Sequence, residues 1–80
     1  MRKNCMQYQI LLYLSERKKC KIKELVEYMK SKFNFYDTYN LLYRLRKKDL
    51  VITEDYKYCA REKIISITEK GLMLLKEGGN

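Results

Sequence analysis

The sequence predicts an α+β fold built of three helices, a two-stranded antiparallel hairpin and a short closing helix. Three observations predict it. Apolar residues recur at helical spacing in three successive segments between Met6 and Leu45. β-Branched residues then gather in Leu50-Val51-Ile52-Thr53 and again in Lys63-Ile64-Ile65-Ser66-Ile67. Last, Thr68 stands before an apolar stretch that runs into Gly78-Gly79. Residues 1–80 read as one domain, with no internal repeat and no linker. A chain of this length buries only roughly 60% of its unfolded surface, so pairing with a second copy would add apolar burial that it needs.

Helix 1 is predicted over Asn4–Lys18, with Met6, Ile10, Leu11 and Leu14 toward the core. Tyr8, Leu12 and Tyr13 widen its apolar surface beyond one stripe, as in a helix buried on two sides, one of them against a partner subunit. Lys18-Lys19-Cys20-Lys21 breaks the pattern. Ile22, Leu25, Val26, Met29 and Phe33 define helix 2 over Ile22–Lys32, with Glu24 near the positive end of its dipole. Helix 3 is predicted over Phe35–Lys48. Asn34 serves as its N-cap, Asp37 reaches back in the manner of a capping box, and Thr38, Leu41, Leu42 and Leu45 face inward. Asp49 follows where a helix ends in a left-handed residue, a conformation that Asp tolerates. The hairpin tip is placed near Cys59–Glu62. Thr68 caps a last helix over Glu69–Glu77 that carries Leu72, Leu74 and Leu75.

The net charge is +8 and it is unevenly spread. Arg17, Lys18, Lys19, Lys21, Lys23, Lys30 and Lys32 face only Glu24 and Glu27 between residues 17 and 32, and Arg44, Arg46, Lys47 and Lys48 follow. Residues 50–80, by contrast, sum to zero. A cationic half of a small chain points to a polyanionic partner.

Several function classes are poorly served. The longest apolar run, Ile10–Leu14, is far short of a membrane span, and Met1-Arg2-Lys3 leads into polar residues and not into a signal-peptide core. The chain therefore reads as soluble and intracellular. There is no histidine, no glycine-rich phosphate loop, and no Ser or Cys set beside a base, so no enzyme is expected. Cys5, Cys20 and Cys59 lack the spacing of a zinc site and read as buried or incidental thiols. No metal and no cofactor are expected.

Ile22-x-x-Leu25-Val26-x-x-Met29, followed by Leu42-x-x-Leu45-x-x-x-Asp49-Leu50-Val51, resembles helices 2 and 3 of winged helix-turn-helix transcriptional regulators of the MarR and PadR types. Ile67-Thr68-Glu69-Lys70-Gly71 resembles the Leu-Thr-x-x-Gly that those families place after the wing. The resemblance covers about residues 6–76 and implies a winged helix-turn-helix that binds double-stranded DNA. The small core and the two-sided apolar surface of helix 1 lead us to expect a homodimer, paired through helix 1 and the C-terminal helix. Two departures stand out: Asp49 replaces the usual Gly, and the wing is electrically neutral. The scarcity of Pro, His and Trp beside abundant Lys, Ile, Leu and Tyr fits an AT-rich genome or a thermophile, in keeping with small winged-helix proteins of archaea and their viruses.

In that family the second helix of the motif enters the major groove. The base-reading candidates are then Tyr36, Tyr39, Asn40, Tyr43 and Arg44, with Asn40 suited to adenine and Arg44 to guanine or to a phosphate. Lys18, Lys19, Lys21, Lys23, Lys32, Lys47, Lys57 and Arg61 are the phosphate-binding candidates, and Lys63 is a further one on the wing. Plainer roles compete: Asp37 as a cap, some of the tyrosines as packing residues, and Arg46 as a solvated side chain. The alternative function is a winged helix used for protein interaction or for RNA binding, which an apolar patch on helix 3 would favour.

Overall fold

Which face each element buries follows from the spacing of its apolar residues, and the computed structural model, which describes residues 5–78, shows the outcome. The order is α1 (Met6–Arg17), β1 (Lys19–Lys21), α2 (Ile22–Phe33), α3 (Thr38–Lys47), β2 (Val51–Tyr56), β3 (Cys59–Ile67) and α4 (Glu69–Gly78). Ile10, Leu11 and Leu14 of α1 meet Leu25 and Met29 of α2, Leu42 and Leu45 of α3, and Leu50, Val51 and Ile65 from the sheet side. Leu41, Leu74 and Leu75 pack on the rim of this core. Tyr13 is also buried, stacked on Tyr28 with ring centroids 4.1 Å apart.

The break predicted at residues 18–21 is in fact a strand. Lys18 takes a positive φ of 71° and turns the chain out of α1. Cys20 then pairs with Ile65, which makes β1 one edge of an antiparallel sheet of order β1-β3-β2. Three residues carry no periodicity of their own, and this strand exists because β3 offers a free edge.

Helix 3 starts three residues later than predicted, at Thr38. Asn34 closes α2 instead of opening α3: its φ of 53° is left-handed, and its N–H donates to the Lys30 carbonyl at 3.0 Å. The N-cap of α3 is Asp37, whose side chain makes no capping bond, so the predicted capping box is absent. Phe35 and Tyr36 belong to the turn. The inward face is as predicted, with Thr38, Leu42 and Leu45 buried. Asp49 adopts the expected left-handed conformation, φ 61°.

The hairpin turns at Lys57-Tyr58, earlier than the predicted Cys59–Glu62. Its ladder runs from Val51–Ile67 to Asp55–Lys63, then shifts register before Tyr56–Cys59, so the tip is irregular. Thr68 caps α4 as predicted, its Oγ1 accepting from the Gly71 N–H at 3.1 Å. The same hydroxyl donates to the Asp49 carbonyl at 2.7 Å, and the Thr68 N–H donates to the Leu50 carbonyl at 3.0 Å. A Cβ on Gly71 would stand 2.5 Å from that Leu50 oxygen. The Thr-x-x-Gly motif therefore clamps the start of α4 onto the turn between α3 and β2. The predicted start of α1 at Asn4, and Gly79, lie outside the described residues.

Candidate nucleic-acid interface

With Thr38, Leu42 and Leu45 turned inward, helical geometry sends Asn40, Tyr43, Arg44 and Lys47 outward and leaves Tyr39 and Arg46 on one flank. All six are exposed. Asn40 donates through Nδ2 to Asp37 Oδ2 at 3.3 Å, which fixes the plane of its amide. A primary amide has two N–H donors and a carbonyl, so the second N–H and Oδ1 stay available for a bidentate partner. Tyr36, in the turn, donates its hydroxyl to Asn34 Oδ1 at 2.9 Å. Arg44, Arg46 and Lys47 take part in no ion pair among the described residues. Three basic residues in the last turn also suit the negative end of the helix dipole.

The flank of α3 faces the wing across a cleft. Tyr39 lines it together with Lys23 from the first turn of α2 and Arg61 and Lys63 from β3. Farther along, Tyr43 and Arg46 face Thr53 and Lys63. The cleft thus gathers Lys21, Lys23, Tyr39, Tyr43, Arg61 and Lys63 from the predicted set, and it adds Arg46. The signal for Arg46 lies in the spacing, since Tyr39, Tyr43 and Arg46 form one helical stripe.

Other predicted phosphate ligands sit apart. Lys32 lies in the groove between α1 and α2 with Arg17, Tyr13 and Tyr28, its ammonium 5.6 Å from the Tyr28 ring. Lys19 and Lys57 border a groove on the other side of the sheet, beside Glu24, Glu54 and Asp55. Lys18 is exposed at the end of α1.

The wing side differs in its electrostatics. Lys21 is bonded to Glu62 at 3.1 Å and lies 4.4 Å from the Tyr56 ring centroid. The hydrogen bond to Glu62 raises the Lys21 pKa. Lys63 is paired with Asp55 across the hairpin. Beneath Lys21, burial pushes the Cys20 thiol from 9.0 up to about 11, with the Glu24 carboxylate adding to the shift. All three cysteines are free thiols. No helix among the described residues is long and apolar enough to cross a membrane.

Comparison with protein-family models and with curated proteins gives no match. Solved structures do match. A MarR-like transcription regulator of Bacillus cereus superposes with a TM-score of 0.81 at 22% identity, over 90% of this chain and 50% of that one. A mutant MarR of E. coli complexed with operator DNA gives 0.79 at 16% identity, over 91% and 51% of the two chains. A mutant MepR of S. aureus bound to an oligodeoxyribonucleotide gives 0.76 at 22% identity, over 88% and 51%. The chain spans about half the length of the structures it matches, and it has the winged helix-turn-helix fold of MarR-type regulators. These three sources are bacterial and none is archaeal or viral.

Proposed function

We propose that this chain is a sequence-specific double-stranded DNA-binding protein, a transcriptional regulator built as a single winged-helix domain and acting inside the cell. The observation that carries the proposal is the outward face of α3. Asn40, Arg44 and Lys47 are exposed, and the two cations have no acidic partner among the described residues. A helix that leaves such groups uncovered beside a cationic cleft fits the major groove, where Arg reads guanine and Asn reads adenine. Tyr36, Tyr39 and Tyr43 would offer hydroxyls to phosphates or rings to thymine methyl groups. Lys23, Lys47 and Arg61 would hold the flanking phosphates, joined by Arg46. Lys18, Lys19, Lys32 and Lys57 would serve only DNA that bends around the domain.

Two copies would pair through α1 and α4. Supporting this, α4 leaves Met73 and Leu72 exposed, and Met73, Leu74 and Leu50 line an apolar groove that reaches Gln7 of α1. A two-fold pair would set the two α3 helices about 34 Å apart, on half-sites one turn apart. Selection of bound sequences from random duplex DNA tests function and symmetry together. Enriched palindromes and a steep fall of affinity with salt are expected. Recovery of no consensus would overturn sequence-specific binding, and a monomer by light scattering at micromolar concentration would overturn the dimer.

A further inference from the structure

Five of the eight tyrosines are used in packing and three are not. Tyr13 and Tyr28 stack on each other, Tyr8 and Tyr56 are half-buried, and Tyr58 at the wing tip packs edge-on against Tyr56 with centroids 5.5 Å apart. Tyr36, Tyr39 and Tyr43 are 67%, 65% and 55% exposed. A domain with a small core forgoes substantial stabilisation by leaving three rings in water. Their placement is not scattered: all three lie on α3 or the turn before it.

Two of these rings also carry an ammonium over one face, so that a base would stack on the opposite one. Lys30 lies over Tyr36, 6.0 Å from its centroid, and Lys47 over Tyr43 at 5.1 Å. A flat ring beside an ammonium is the pair of groups a single nucleotide needs, one for the base and one for the phosphate. In a matched duplex the base faces are stacked on each other and only the edges are open to the groove. The face of a tyrosine ring can be used in full only by a base that has left the stack.

We propose that Tyr36, Tyr39 and Tyr43 form a stacking platform for unpaired DNA bases. The protein would then hold DNA with a locally opened strand more tightly than fully paired DNA. This rests on the reading of the α3 face as a DNA surface and adds a preferred form of DNA to it. The uncompensated Arg44, Arg46 and Lys47 supply the backbone attraction that such a platform requires. The hydroxyl of Tyr36 is tied to Asn34, which fixes where that ring stands while leaving it exposed.

The test compares three DNAs of one sequence by polarisation of a fluorescent label: a matched duplex, the same duplex with a short mismatched bubble, and the single strand. The bubble should bind at least about tenfold tighter than the matched duplex, the gain expected from one stacked base. The chain has no Trp, so quenching of its tyrosine emission on binding reports stacking directly. Replacing the three tyrosines by Leu should abolish the preference, and replacing them by Phe, which keeps the ring, should retain it. Circular dichroism verifies that both variants are folded. Equal affinity for bubble and duplex, or a preference that survives in the Leu variant, overturns the platform while leaving duplex binding intact. Binding to the opened forms without binding to the matched duplex would support the platform and overturn the proposed function. Binding to none of the three would overturn both and assign the tyrosine face to a protein partner.

Discussion

The two surfaces that flank the cleft carry similar numbers of cations but hold them differently. On α3, Arg44, Arg46 and Lys47 project from a helix whose acidic neighbour, Asp37, is engaged by Asn40. On the wing side, Lys21 and Lys63 are neutralised by Glu62 and Asp55. A polyanion approaching the cleft finds the helix ready to bind, whereas on the wing side Lys21 and Lys63 must first leave partners of their own and Arg61 is the cation there with no ion pair among the described residues. Net charge therefore says less than pairing does. Two regions of comparable basicity present different free-energy costs to the same ligand, and α3 should dominate affinity.

The largest effect should come from breaking the helix side. Asn40→Ala or Arg44→Ala should each weaken binding to the selected operator by roughly 1–3 kcal/mol and relax base preference at one position. Electrophoretic shifts against operator variants would show this, and unchanged shifts would mean that another element reads the bases. A smaller effect should come from alkali, which acts on the wing side. The Lys21 pKa is raised in the folded protein, so its pairing contributes below the ordinary lysine range and is lost as pH rises through the folded value. Cys20 ionises near 9.0 when unfolded and near 11 when folded, so folding stability falls across that interval, by about 1 kcal/mol at pH 10. Denaturant titration of the wild type against Cys20→Ala should show the loss flattened in the variant. The smallest effect should come from freeing the wing. Asp55→Asn or Glu62→Gln should raise DNA affinity by about two- to fivefold and steepen the salt dependence by about one counterion. If neither variant binds more tightly, the wing cations do not reach the phosphates.

Much of this was legible in the residues. The inward face of α3 follows from the spacing of Thr38, Leu42 and Leu45, because burial demands one stripe and only one stripe is apolar. The left-handed turn at Asp49 and the cap at Thr68 also follow from residue chemistry. Asn34 departs from its expected role for a physical reason: the same side chain that makes a good N-cap also tolerates a left-handed C-cap, and here it closes α2. Strand β1 was invisible because its only cause is a partner far away in sequence. The hairpin tip carries no Asn-Gly or Asp-Gly signal, so the expected tip at Cys59–Glu62 falls later than the actual turn at Lys57-Tyr58. The outward residues of α3 could be named as soon as the inward ones were, but the pairing of Lys21 with Glu62 and of Lys63 with Asp55 depends on strand register.

The clamp made by Thr68 has a mechanical meaning as well. One hydroxyl and one amide tie the head of α4 to Asp49 and Leu50, immediately beyond the last turn of α3. Gly71 brings the two so close that no side chain could separate them. The last helix and α3 consequently form one stiff bracket. If α4 is held by a second copy, the angle at which it is held sets the pitch and separation of both α3 helices, and under the proposed function of α3 it would set the half-sites they meet. A small rotation at the dimer seam would be delivered at the DNA as a change in half-site spacing.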